Sequence, residues 1–212
     1  MKYSRLGLIG DIHAEPDSLE IALRCLEAAE VEHILCTGDV PDGAGDVDRC
    51  VELLEEHGVT TVRGNHERWF LHNTMRELPH ITAQESVSAQ TRRFLALLPP
   101  ALALETVAGR LLLCHGVGEN DMRRLSDDAR YPIDDITELQ TVLLGHHYRF
   151  MVGGHMHRRM VRRIEHLIVI NAGTLLRGHD PCCAVADFAR GWIQFYEIMD
   201  GKTIESERYE LG

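Results

Sequence analysis

Short apolar runs alternate with amphipathic stretches along the first third of the chain. Residues 5–10 (RLGLIG) are apolar apart from their first member, which predicts a short buried strand. After Pro16, the stretch DSLEIALRCLEAAE carries Leu19, Ala22, Leu23 and Leu26 at helical spacing. A proline suits that helix start, because the N–H it lacks would have no intrahelical partner there. Residues 33–37 (HILCT) predict a second strand. DVDRCVELLEEHG then predicts a second helix, with Val47, Cys50, Val51 and Leu54 at i, i+3, i+4 and i+7 and Gly58 as the stop. Residues 59–63 (VTTVR) complete the pattern as a third strand. Strand–helix alternation at this spacing predicts βαβ units with parallel strands and right-handed crossovers.

The middle of the chain, about 67–107, reads as more helical and is broken at Pro99-Pro100. Residues 110–115 (RLLLCH) return to a strand, 117–132 are polar and irregular, and a helix is expected over about 134–147. Four strand-like stretches follow, at 149–153, 167–172, 183–188 and 192–199. There is no internal repeat and no low-complexity tract. The expectation is one α/β domain over 1–212, strand-rich toward its end, with a helical insertion at about 67–107.

Composition narrows the function more than the fold. Acidic residues outnumber basic ones 33 to 22, a formal net charge of -11, which argues against duplex nucleic acid as a partner because phosphate contacts need a basic face. The six cysteines are scattered without a C-x-x-C pair, as expected of reduced thiols in a cytosolic protein. No apolar run approaches the ~18 residues of a membrane span, and no signal-peptide pattern opens the chain. A cytoplasmic protein without membrane contact is therefore expected. Oligomeric state is not written in any pattern here.

Each predicted strand is followed at once by residues that ligate metals. Asp11-Ile12-His13 follows the first, Gly38-Asp39 the second, Gly64-Asn65-His66-Glu67 the third, His115-Gly116 the next and Gly154-His155-Met156-His157 the one after. Side chains at i and i+2 of an extended segment project to the same side. Open α/β sheets bind ligands beyond the carboxyl ends of their strands. Singly these fragments are common; five in order, each behind a strand, point to one metal site.

The order DIH, GD, GNHE, CHG, GGHMH resembles the calcineurin-like metallophosphoesterase superfamily, over nearly the whole chain and including the closing VINAGTLLRG. The resemblance implies a two-sheet β-sandwich flanked by helices, a four-layer α/β/β/α fold. It also implies two divalent metals, one held by Asp11, His13, Asp39 and His157 and the other by Asp39, Asn65, His115 and His155. Mixed imidazole and oxygen donors suit manganese first, with iron, zinc or nickel as alternatives, better than calcium. By the same resemblance, two such ions would share a hydroxide that attacks phosphorus, and His66, off the metals, would donate a proton to the leaving group or stabilise its charge. Glu67 either orients His66 or is a solvent-facing carboxylate at a helix start.

Departures from the family pattern bear on the substrate, a phosphate ester. Protein phosphatases of the superfamily carry GDxVDRG, whose arginine binds phosphate; here the stretch is GDVPDGAG, with Gly43 in that place. The paired GHMH resembles the small bacterial and archaeal phosphodiesterases, so a phosphodiesterase is favoured. A phosphomonoesterase or protein phosphatase, a dinucleoside polyphosphate hydrolase and a non-catalytic metal-binding scaffold stay open. DIHAE stands where DIHGN is usual, so the mouth near Ala14 is expected to differ. Asn65, Arg123 and Arg158 are the candidate substrate contacts, since arginine forks suit phosphate oxygens. His146 and His147 read as helix-end residues, favoured by the negative end of the dipole.

Overall fold

The computed structural model describes residues 1–75, 77–125 and 136–212 of the chain. Three strands and two helices open it: β1 (Arg5–Ile9), α1 (Pro16–Ala28), β2 (His33–Cys36), α2 (Val47–Glu56) and β3 (Thr60–Thr61). α1 starts at Pro16, and the carboxylate of Asp46 caps α2 by accepting the Arg49 N–H at 3.1 Å. α3 (Asn65–His72), α4 (Ala89–Leu97), β4 (Ala101–Thr106) and β5 (Gly109–Cys114) follow. The rest comprises α5 (Thr137–Gly145), β6 (Phe150–Gly153), β7 (Arg159–Ile164), β8 (Leu167–Ala172), β9 (Cys182–Asp187), β10 (Trp192–Met199) and β11 (Lys202–Glu210).

The strands form two sheets. The first has six strands in the order β11-β10-β9-β1-β2-β3, with β1, β2 and β3 parallel and the others antiparallel. The second has five in the order β4-β5-β6-β8-β7, parallel through β5, β6 and β8 with antiparallel edges.

Period-two alternation sorts the strand residues into three cores. Leu6 and Leu8 of β1 meet Leu111 and Leu113 of β5, Phe150 and Val152 of β6 and Ile168 and Ile170 of β8 between the sheets. Ile9, Cys36 and Val185 face the other way, onto Leu19, Leu23 and Leu26 of α1 and Val51 and Leu54 of α2. Leu112, Cys114, Met151 and Val169 pack outward beneath Leu139 and Leu143 of α5. Each sheet is thus buried on both faces, which accounts for the continuous apolar runs of its central strands. The result is the four-layer α/β/β/α arrangement.

Three strands differ from the sequence expectation. Residues 101–106, inside the stretch expected to be helical, form β4; Arg159–Ile164 and Lys202–Glu210 form β7 and β11, for which no strand was expected. All three are edge strands. An edge buries little and tolerates charge, so its apolar alternation is weak. The helix expected over 134–147 runs from Thr137 to Gly145, and the start of the expected segment lies outside the described residues. His146 caps it in the left-handed region and stacks its ring on His166. All six cysteines are free, and adjacent Cys182 and Cys183 point into different cores. No helix among the described residues is long and apolar enough to cross a membrane.

Candidate metal centre

The carboxyl ends of β1, β2, β3, β5 and β6 all open to the same place. Two groups of ligand-type atoms converge there: Asp11, His13, Asp39 and His157 in one, and Asp39, His115 and His155 in the other. Within each group the ligand atoms lie within 4.8 Å of one another, and Asp39 belongs to both. The Asn65 carboxamide oxygen completes the second group, 3.0 Å from His115 Nε2 and 2.9 Å from His155 Nδ1. Every residue that the sequence nominated as a ligand is therefore in one constellation.

Backbone carbonyls settle which imidazole nitrogens are available. His13 Nδ1 lies 3.0 Å from the Asp42 carbonyl, and His115 Nδ1 lies 2.8 Å from that of Thr37. A carbonyl only accepts, so each Nδ1 carries its proton and donates it. The Nε2 atoms then face the site: His13 Nε2 is 2.9 Å from His157 Nε2, and His115 Nε2 is 3.1 Å from Asp39 Oδ2. Such outer hydrogen bonds on ring nitrogens are how proteins fix metal-binding histidines.

Charge completes the test of fit. Asp11 and Asp39 are almost wholly buried, and imidazoles are their only basic partners among the described residues. Burial would raise both carboxyls, but His115 together with His157 at Asp11, and with His66 and His13 at Asp39, outweighs it and holds them below the ordinary carboxylate range. Burial also lowers His13 and His155, which favours the neutral form of both rings. For His115 burial is outweighed by Asp39 and Asp11, which pull its pKa up to about 10. The two buried carboxylates thus call for positive charge, which His115 supplies here, and with that ring neutral the oxygen and nitrogen donors fit a pair of divalent cations.

The backbone holds this arrangement against its own preference. His13 (φ 48°), Asp39 (φ 51°), His155 (φ 66°) and His157 (φ 53°) all occupy the left-handed region. This costs a non-glycine residue about 1–2 kcal/mol and is common at functional sites. At position 154 a Cβ would collide with the Asp11 carboxylate and the Thr37 hydroxyl, so only glycine lets the His155 amide reach Asp11 Oδ2 at 2.9 Å.

His66 stands beside the ligands rather than among them. Its Nδ1 is 2.8 Å from Asp42 Oδ2, and its Nε2 is 4.0 Å from Asp39 Oδ2. Burial acts to lower its pKa, but the hydrogen bond to Asp42 and the charges of Asp39, Asp42 and Glu67 prevail, and the net shift is upward. Its backbone N–H, near the start of α3, donates to Asp39 Oδ1 at 2.9 Å. The role of Asp42 escaped the sequence reading, although a signal was present: in GDVPDG it lies three residues after Asp39. Asp42 is itself tied to Thr82, whose N–H reaches Asp42 Oδ1 at 2.7 Å.

Glu67 is neither solvent-facing nor in hydrogen-bond contact with His66. It is fully buried and accepts three backbone N–H groups, from Asp39 (3.0 Å), Val40 (2.6 Å) and Gly64 (2.7 Å). It braces the Asp39 loop against the start of α3. Burial and the Asp39 charge push its pKa up to about 7 despite those donors.

The expected substrate contacts separate. Arg123 is engaged by Glu138, with Nε 2.9 Å from Oε2. Arg158 is exposed and lines a polar cavity of about 260 Å³ with His157 and Asp180. On the other flank, Gly43, Gly45, Thr82 and Val87 line a groove of about 390 Å³. A Cβ at Gly43 would collide with the His13 carbonyl, so no side chain fits where an arginine stands in the protein phosphatases. Ala14 is buried, and Glu15 turns inward to bind Arg177. A larger cavity of about 450 Å³ lies apart from the ligands, between β4 and α5.

Comparison with known proteins places these features in context. The sequence profile described as the calcineurin-like phosphoesterase superfamily domain matches residues 5–191. An uncharacterized protein of Methanocaldococcus jannaschii is 30% identical over 67 residues, which is 32% of this chain and only 28% of that protein's length. Among solved structures, a metallophosphoesterase from Sphaerobacter thermophilus is similar with a TM-score of 0.70 at 19% identity, covering 93% of this chain and 89% of that one. A phosphoesterase from E. coli gives 0.61 at 17%, covering 98% and 100%, and Vacuolar Protein Sorting 29 from Cryptosporidium parvum gives 0.60 at 19%, covering 99% and 100%. At these identities the likeness is one of fold.

Proposed function

Because the chain belongs to the calcineurin-like phosphoesterase superfamily, we propose that it is a metal-dependent phosphoric ester hydrolase acting on phosphodiesters. The observation that carries this reading is the pair of ligand clusters joined at the buried Asp39, with imidazole lone pairs turned inward. Asp11, His13, Asp39 and His157 would hold one divalent cation, and Asp39, Asn65, His115 and His155 the other, manganese being the first choice. Bound there, the cations supply a water of lowered pKa and neutralise phosphoryl oxygens.

The chain's own residues do the remainder. Asp42 accepts from His66 Nδ1–H and so aims Nε2 toward the site. His66, whose pKa the Asp42 hydrogen bond and the neighbouring carboxylates raise, delivers the Nε2 proton to the departing ester oxygen. Glu67 keeps Asp39 in register with α3. A diester carries two organic substituents, and the grooves beside Gly43 and His157 offer one berth on each flank. With no side chain possible at position 43, nothing there closes over a terminal phosphate.

The test uses chelator-stripped protein with Mn²⁺ titrated back. Hydrolysis of bis-p-nitrophenyl phosphate is expected to depend on metal, to exceed that of p-nitrophenyl phosphate and to vanish in Asp39→Ala. Preference for the monoester would replace the diesterase reading with a phosphatase. Two bound metals and no turnover of either ester would favour the scaffold role.

A further inference from the structure

Arginines near the mouth of the metal centre differ in what their guanidinium groups are free to do. Arg68 is closed by Asp121, with Nε–Oδ2 2.7 Å and Nη2–Oδ1 2.8 Å. Arg123 is closed by Glu138, and Arg159 by Glu197 and Glu207. Arg158 is exposed and has no partner among the described residues, so nothing there holds it in one place. Arg177 is different. Its backbone N–H and Nε–H both donate to Glu15, at 3.3 and 2.6 Å, while both Nη groups have no partner among the described residues. The Glu15 side chain is 6% exposed and that of Arg177 is 64% exposed. A buried carboxylate thus grips the inner edge of a guanidinium whose outer edge faces solvent.

The segment carrying Arg177 is tied at both ends to candidate ligand residues. At one end the Thr174 hydroxyl and the Leu175 N–H both donate to the Asp11 carbonyl, at 2.8 and 2.7 Å. At the other, the His179 ring stands edge-on to His157, with centroids 5.4 Å apart. Arg177 lies between these two anchors. Tethered to Glu15 through its backbone N–H and Nε, the side chain gives up less freedom than an untethered arginine when an anion meets the four N–H groups on its Nη atoms. A guanidinium edge matches the spacing of two phosphate oxygens, which a lysine does not.

We infer that Arg177 is an anion subsite that takes non-bridging oxygens of the substrate phosphate, and that Glu15 is its positioning residue. This rests on the phosphoesterase reading above. It assigns phosphate contact to the segment after β8 rather than to Arg123 or to the loop at Gly43. It also gives the unusual DIHAE a purpose, since Glu15 exists there to hold Arg177.

Isothermal titration of inorganic phosphate into the Mn²⁺-loaded chain tests it, with metal content and melting temperature measured on each variant. Arg177→Ala is expected to weaken phosphate binding about tenfold or more, the scale of a lost charge-assisted hydrogen bond. KM for bis-p-nitrophenyl phosphate should rise in parallel, with two Mn²⁺ still bound. Arg177→Lys should recover little. Glu15→Gln should weaken binding while leaving the arginine in place, and Arg24→Ala, a surface pair on α1, should change nothing. Phosphate binding within twofold of wild type in metal-loaded Arg177→Ala overturns the subsite, as does a larger loss in Arg158→Ala. A merely structural ion pair would lower the melting temperature and leave phosphate affinity unchanged, which also overturns it. If the wild-type chain takes up no metal, the phosphoesterase reading falls first and the subsite with it.

Discussion

Asp39, from the six-stranded sheet, and His155, from the five-stranded sheet, both face the middle of the site, yet they are held in different ways. Asp39 sits in a loop whose amides end on Glu67, and three residues on Asp42 is tied to Thr82. None of Glu67, Asp42 or Thr82 is a ligand candidate; they form a scaffold beneath the ligands. The polar contacts of His155 among the described residues, by contrast, are to candidate ligands, Asp11 through its N–H and Asn65 through Nδ1, while its Nε2 is buried without a partner there. One half of the centre is braced by the fold. The other half leans on the first, and bound cations would complete it.

The sharpest way to break this comparison is His155→Ala. The variant should bind one Mn²⁺ instead of two and lose activity by ~10²–10³-fold, on the scale of deleting one electrostatic stabiliser of a transition state. Its melting temperature without metal should stay within about 2 °C of wild type, because a surface-side truncation costs little. A large loss of thermal stability would show that the leaning half is part of the scaffold after all.

Glu67→Ala should do the reverse. Removing the carboxylate strands three buried N–H donors and costs about 3 kcal/mol, roughly 6–12 °C in melting temperature for a chain of this size. Calorimetry of the metal-free protein reads this directly. Glu67→Gln should restore part of it, and a melting temperature unchanged in the alanine variant would remove Glu67 from the brace.

Asp42→Asn comes next in size. With His66 less firmly aimed, kcat should fall about tenfold while Mn²⁺ stoichiometry and KM hold, as for partners that orient an acting group. An equal fall in metal content would mean that the Asp42 carboxylate holds the loop on which His13 rests rather than aiming His66. Smallest of all, Thr37→Val removes a 3.2 Å hydrogen bond to Asp11 Oδ1. It should cost about 1 kcal/mol of stability by denaturant titration and leave turnover within threefold.

Much of this was legible in the residues themselves. Central strands buried on both faces are written as apolar runs, which is why β1, β2, β5, β6, β8 and β10 stand out. β4, β7 and β11 do not, for RRMVRR and KTIESERYE place charge along an edge that only its pairing partner makes a strand. In β4, ALALE has the composition of a helix; its ladder with β5 overrides that propensity. The candidate ligand set was legible because side chains of metal-binding type are chemically distinctive and follow strands directly. The supporting residues were not. Glutamate at 67 looks like any carboxylate at a helix start, and nothing local says that it accepts amides from the Asp39 loop.

The sequence alone determined which atoms are available: seven candidate ligands, in order, behind buried strands, with glycines beside them. That follows from local chemistry and periodicity, which need no knowledge of neighbours. Only the tertiary structure decided where those atoms point. The left-handed backbone at His13, Asp39, His155 and His157 is unfavourable in isolation, and packing of two sheets enforces it. Ring tautomers are likewise set by carbonyls far along the chain, Asp42 for His13 and Thr37 for His115. Direction depends on contacts distant in sequence, and those exist only once the sheets have met.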